Sequence, residues 1–151
     1  MSIRNFNRFL FLKLPSAFLC GVRLRSLNKE RAVVTVTLNF LNKNPFKSMF
    51  WAVQGMAAEL ATGAIILSEV RNSTVPISML VTRNEAEFLK KAKGKITFTC
   101  TDVELVKNQF STHIQSESGA RFWMQSDGID EQGDVVSRFR FEWSIKRKNK
   151  T

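Results

Sequence analysis

Between Lys47 and Glu69 the chain carries a single charged residue, Glu59, inside the stretch NPFKSMFWAVQGMAAELATGAIIL that runs from Asn44 to Leu67. From Met49 to about Ser68 this segment is rich in Ala, Met and Leu, which favours a helix. Trp51, Val53, Met56, Leu60, Ile65 and Leu67 fall on every side of that helix. A helix without a polar stripe has to be covered all round. The rest of the chain must therefore wrap it, and must do so around a carboxylate.

The flanking sequence supplies the wrapping. The segment CGVRLRSL, Cys20 to Leu27, alternates Val22 and Leu24 with Arg23 and Arg25, and AVVTVTLNF sets Val34, Val36, Leu38 and Phe40 on one face. This period of two predicts a hairpin turning at Asn28 and Lys29. Pro45 bars NKNPFKS from a ladder, and Ser48 is placed to cap the long helix. VPISMLVTRNEAEFL and KITFTCT read as strands on either side of KKAKG. Asp102 is positioned to cap a second helix, VELVKNQFSTHIQ, with Val103, Val106 and Phe110 on its apolar side and Gly119 at its end. The last two strands, ARFWMQSDG and VVSRFRFEWSIK, follow, and the second alternates Phe139, Phe141, Trp143 and Ile145 with Arg138, Arg140 and Glu142. The order predicts an α+β domain, an antiparallel sheet of about six strands curled around one central helix. With 151 residues, one core and one domain over 1–151 are expected, burying about 70% of the unfolded surface.

The start, MSIRNFNRFLFLKLPSAFLCG, imitates a signal peptide, but Lys13 interrupts the apolar run, Leu19 is bulky before Cys20, and no A-x-A site follows. Residues 1–19 read instead as an amphipathic helical segment with Phe6, Phe9, Leu10 and Leu14 on one side, which packs on the domain or touches a membrane, packing being the expectation. Residues 146–151 read as a solvated basic tail. Cys20 and Cys100 form no C-x-x-C pair and suit neither a zinc site nor a disulfide scaffold, so a reducing cytoplasm is expected. No transmembrane segment is expected.

The net charge of +10 favours anionic partners. The cations lie in separate groups with no aromatic-interleaved motif, so nucleic acid is not the expected partner. Lys90, Lys91 and Lys93, in the turn between two strands, are placed either as a solvated loop or as point charges for phosphates. His113 reads as an ordinary helix residue, not part of a triad. Asp127, Asp130, Glu131 and Asp134 lack the full calcium-loop pattern and read as a solvated hairpin, so no metal is expected.

The element order and particular residues resemble the hotdog fold of the acyl-CoA thioesterase superfamily, most closely a branch described only as a domain of unknown function. That family commonly carries an Asn before the central helix, then a Thr or Ser, a His-Gly-Gly-like stretch at the helix start, and an Asp or Glu two turns on. Asn44, Ser48 and Glu59 match the first, second and last of these. Phe50, Trp51 and Ala52 stand where His, Gly and Gly would be. The resemblance implies an acyl-CoA or related acyl thioester as ligand, with coenzyme A as part of the substrate and no other cofactor. It implies Glu59 as general base or nucleophile, with a pKa raised by apolar surroundings. Amides near Phe50 and Trp51 would polarise the thioester carbonyl, Gln54 would be a polar group beside it, and Phe50, Trp51 and Met56 would line an acyl pocket.

Distance adds a condition. Phe50 and Glu59 are nine residues apart, about 13 Å along a helix axis at ~1.5 Å per residue, too far to act on one carbonyl. Two antiparallel copies satisfy the condition, so catalysis requires a homodimer, with a tetramer as a further option. Two other readings stand beside it. One is a non-catalytic acyl or lipid-binding module of the same fold, in which Glu59 is a buried acid satisfied by Arg83, Gln54, Thr62 or a water. The other is a basic domain attached to an anionic membrane or nucleic acid.

Overall fold

The helix expected to be wrapped is the axis of the computed structural model, which describes residues 2–113 and 119–148. Ten elements follow one another: α1 (Ile3–Lys13), α2 (Pro15–Leu19), β1 (Arg23–Leu27), β2 (Ala32–Thr37), α3 (Trp51–Asn72), β3 (Ile77–Phe88), β4 (Lys95–Cys100), α4 (Val103–His113), β5 (Ala120–Ile129) and β6 (Val135–Arg147). The strands form one antiparallel sheet of six in the order β1-β2-β4-β5-β6-β3. This is the curled sheet around one long helix that the patterning predicts.

Burial matches the patterning of each element. On α3 an unbroken run from Leu60 to Ile66 is buried, together with Val53, Gln54, Ala57 and Ala58. Phe139, Phe141, Trp143 and Ile145 of β6 face inward, and Arg138 and Arg140 face out. Small residues let α3 and β6 approach. A methyl on Gly63 would stand 3.3 Å from the Trp143 ring, and one on Gly55 3.5 Å from Phe139. The Trp143 Nε1–H donates to Thr62 Oγ1 at 3.0 Å, and the Thr62 hydroxyl donates to the Glu59 carbonyl at 2.9 Å. A buried polar pair of this kind sets the rotation of the helix against the sheet, because turning the helix would leave the indole N–H without an acceptor.

The two sheet edges differ. At the β1 edge the Asn7 side chain, on α1, donates Nδ2 to the Leu24 carbonyl at 2.9 Å and accepts the Leu24 N–H on Oδ1 at 3.0 Å. The amide thus takes the place of a neighbouring strand. At the other edge β3 pairs with β6 from Ile77↔Arg147 to Phe88↔Ser137, and among the described residues no strand lies on its far side. No described helix is long and apolar enough to cross a membrane.

Several expectations need correcting. The helix starts at Trp51 with Phe50 as its N-cap and no side-chain cap bond, so Ser48 is not the cap. Its hydroxyl donates back to Asn44 Oδ1 at 3.3 Å. β2 ends at Thr37, and Phe40, expected on its inner face, is 81% exposed in the following turn. Lys146 and Arg147, expected in a tail, are ladder residues opposite Ser78 and Ile77, while 149–151 lie outside the described residues, as do 114–118 at the expected end of the second helix. Asp102 directly precedes α4 as expected, and its carboxylate accepts the Gln125 N–H at 2.9 Å, tying α4 to β5. On the N-terminal helix Phe6 and Leu10 are buried as expected, whereas Leu14 is exposed.

Candidate functional site

The loop between β2 and α3 is built by asparagines. The Asn42 side chain is buried, donates to the Cys20 and Thr37 carbonyls at 2.9 Å each, and accepts the Asn39 N–H at 2.8 Å. Asn44 Oδ1 accepts the N–H groups of Phe46 and Ser48. These bonds close a turn in which Lys47 is held at φ 60°, a strained conformation for a residue with a side chain. The motif singled out Asn44 but not these bonds. Asn42 was missed, although a run of Asn in a loop is a signal of side chain to backbone bonding.

Beyond this turn a cleft of about 370 Å³ opens at the start of α3, lined by Asn44, Ser48, Met49, Phe50, Trp51, Gln54, Phe88, Leu89, Lys90, Lys91 and Ala92. It brings together Asn44, Ser48, Phe50, Trp51, Gln54, Lys90 and Lys91 from the sequence-predicted set. It does not include Glu59, Met56 or Lys93. Met56 packs half-buried against the core, and Lys93 is exposed outside the cleft. Phe50 and Trp51 do not plug the helix start, since they are 45% and 56% exposed and meet edge to face with ring centres 6.0 Å apart. They form the mouth of the cleft.

The donors available there are specific. The Phe50 N–H, an expected carbonyl-polarising group, donates to the Asn42 carbonyl at 2.8 Å and is occupied. Val53 N–H closes on the Phe50 carbonyl at 3.0 Å. The N–H groups of Trp51 and Ala52, in the first turn, have no partner among the described residues, as the first positions of a helix leave them. The Gln54 side chain, buried in the same wall, donates Nε2 to the Met49 carbonyl at 3.3 Å, and its Oε1 is buried without a partner. Buried polar atoms are almost always bonded, so an orphan in a cleft wall marks a place for something else. The helix start also offers a positive dipole end to developing negative charge.

The far wall is fastened by acids from the β5–β6 turn. Lys90 Nζ meets Asp130 Oδ2 and Asp134 Oδ2 at 2.6 Å each, and Glu131 accepts the Lys95 N–H at 3.2 Å. The Lys90 hydrogen bond holds the Asp130 carboxyl below its usual range, and Asp130 with Asp134 raises the Lys90 ammonium. The acidic hairpin is therefore a clasp on the cleft wall. Lys90 is neutralised by it, and Lys91 is the lining lysine without an acid partner among the described residues.

Glu59 lies on the row Gly55, Glu59, Gly63 that faces the β6 aromatics, with one carboxylate oxygen 3.6 Å from where a Gly63 methyl would be. Burial raises its pKa above the ordinary carboxylate value. The partners expected for a purely structural acid are engaged elsewhere: Arg83 approaches Glu142 at 3.8 Å, Thr62 bonds the Glu59 main chain, and Gln54 bonds Met49. Among the described residues no side chain bonds this carboxylate. No His, Cys, Asp or Glu cluster able to hold a metal is found among the described residues.

Comparison with known proteins agrees with this architecture. The family model described as "Domain of unknown function (DUF4442)" matches residues 3–145. Among curated proteins no sequence matches significantly. Among solved structures, a Chlorobaculum tepidum protein of unknown function superposes with a TM-score of 0.82 at 17% identity, covering 96% of this chain and 94% of its own. A Pseudomonas aeruginosa protein of unknown function, described as a probable thioesterase, gives 0.79 at 21% identity over 96% of both chains. A Haemophilus influenzae thioesterase gives 0.73 at 15% identity, covering 97% of this chain and 92% of its own. The shared architecture is the hotdog fold.

Proposed function

The chain belongs to the DUF4442 family and has the thioesterase-like hotdog fold, and from that premise we propose that it binds an acyl thioester such as acyl-CoA in the cleft at the start of α3 and hydrolyses it as a homodimer. The observation that carries this reading is one helix with two unsatisfied ends of a reaction. Free N–H donors at Trp51 and Ala52 and the buried Gln54 amide stand at its start, and the unpartnered, desolvated Glu59 carboxylate stands further along.

In the proposed reaction the thioester carbonyl oxygen accepts the Trp51 and Ala52 N–H groups, which stabilise the charge that develops on it. The Glu59 carboxylate of the partner copy takes a proton from water, and the water oxygen forms the new bond to the carbonyl carbon. The carbon–sulfur bond then breaks, the thiolate leaves as coenzyme A, and the Glu59 proton returns to it. Direct attack by Glu59 as nucleophile uses the same placement, through an acyl-enzyme anhydride that water opens. Lys91 at the rim suits the phosphates of the leaving group. The open edge of β3 offers the surface for pairing with a second copy. Two free cysteines suit a reducing cytoplasm.

One observation favours a second reading, an acyl-binding module without turnover: Phe50, Trp51 and Ala52 stand at positions the fold family fills with His, Gly and Gly. The readings separate by following free thiol release from acyl-CoAs of short to long chain, with Glu59→Gln alongside. Turnover that Glu59→Gln abolishes while ligand affinity persists is the expected result. Saturable binding with no turnover at any chain length supports the module, and turnover at the parental rate in Glu59→Gln removes Glu59 from the mechanism.

A further inference from the structure

The cleft leaves one distinctive surface unused. The first 29 residues hold Arg4, Arg8, Lys13, Arg23, Arg25 and Lys29 and no Asp or Glu. In the fold this basic segment becomes the helical pair α1–α2 laid against β1. Phe6 and Leu10 anchor α1 inward, which turns Arg4, Arg8, Phe11 and Leu12 to the opposite half of the helix. A second cleft, of about 430 Å³, lies on this side and is lined by Arg4, Asn7, Arg8, Phe11, Phe18 and Arg23. Phe11 and Phe18 meet edge to face at 5.0 Å, and the Arg23 guanidinium lies 3.4 Å over the Phe18 ring while donating to the Phe18 and Val22 carbonyls.

Two features of this face point to an anionic partner with an apolar interior. Three guanidinium groups line one cleft, and no carboxylate pairs with any of them among the described residues. Large apolar side chains stand out on the same helical segment: Leu12 is 71% exposed and Leu19 62%, with Phe11 and Leu14 also exposed. Basic groups alone would suit any polyanion. Basic groups interleaved with protruding Phe and Leu on a short helical pair suit an interface that is anionic at its surface and apolar just beneath.

We propose that the α1–α2 face is a docking surface for an anionic phospholipid bilayer. Phe11, Leu12 and Leu19 enter the headgroup boundary, and Arg4 and Arg8 meet the lipid phosphates. The proposal is independent of the chemistry assigned to the α3 cleft.

The test is co-sedimentation of the full chain with phosphatidylglycerol/phosphatidylcholine vesicles and with pure phosphatidylcholine vesicles. Binding to the anionic vesicles, weakening as salt rises and absent on the neutral ones, is expected. The double variant Arg4→Gln/Arg8→Gln should weaken it about thirty-fold, at ~1 kcal/mol per surface cation. Phe11→Ser/Leu12→Ser, which keeps every charge, should weaken it by about ten-fold or more. These four side chains are exposed, and unchanged thermal unfolding will show that the variants fold. Absence of binding to anionic vesicles overturns the proposal. So does retention of binding in both variants, which would assign it to other cations. An unaffected Phe11→Ser/Leu12→Ser variant combined with full competition by heparin or inorganic phosphate would make the face a polyanion or phosphate site and not a membrane surface.

Discussion

If the site is divided between two chains, two different inactive variants should repair each other. The first is Glu59→Gln, which removes the base and keeps its shape. The second is Trp51→Pro, chosen from the backbone: Phe50 already has φ −60° and ψ 133°, the conformation a residue before proline adopts, and proline is tolerated at the first helical position. That change deletes one free N–H donor while leaving α3 intact. Eight residues separate Glu59 from Trp51, about 12 Å along the axis, whereas groups acting on one carbonyl must each come within roughly 3–3.5 Å of their target atom. One chain cannot supply both. Random assortment of equal amounts makes half the dimers mixed, each with one intact site and one doubly damaged, so about a quarter of parental thiol release should return. The assay is hydrolysis of the best acyl-CoA by each variant alone and after joint refolding, with mixed dimers verified by a tag on one partner. Verified mixed dimers with no recovered activity would refute the division of the site between chains.

Other outcomes follow from the same structure. Burial raises the Glu59 pKa, so the folded chain holds this proton more tightly than the unfolded one; stability should fall as pH rises from the ordinary Glu range through the raised folded value, then level off, and Glu59→Gln should flatten that slope in thermal scans across pH. Thr62→Val leaves the buried Trp143 N–H without an acceptor and should cost about 1–3 kcal/mol in urea unfolding. A methyl on Gly128 would meet the Phe98 ring at 2.5 Å, so Gly128→Ala should lose about 1–3 kcal/mol by the same measurement. Cys100, its thiol pushed up to about 12 chiefly by burial, should react with a thiol reagent far more slowly than Cys20 at neutral pH, as read by mass spectrometry.

What could be read in the sequence was whatever repeats. The unbroken apolar run of α3 and the alternation of β6 at every second residue announce their burial, and they fix the layers. Glu59 and Gln54 were visible because a polar residue in such a run needs a reason. Features that depend on one bond between distant residues were not visible. Nothing near Lys90 reveals that Asp130 and Asp134, some forty positions on, will neutralise it. Nothing near Phe50 shows that its N–H will be taken by Asn42. Ser48 had the right type and nearly the right place for a cap, and lost that role because Asn44 turned the chain first. Phe40 continued an alternation whose strand had already ended at Thr37.

The amide of Asn7 bears on how far the molecule can grow. A sheet with two bare edges propagates, since every copy that joins presents a new end and the product is a fibre. Here one end is stoppered by a side chain from the protein's own first helix, which answers the Leu24 N–H and carbonyl together. A copy that adds at β3 therefore brings no second vacancy with it, and strand addition terminates at the first event. Asn7→Leu would pull the stopper, and strand addition with both edges bare would then run on as a polymer.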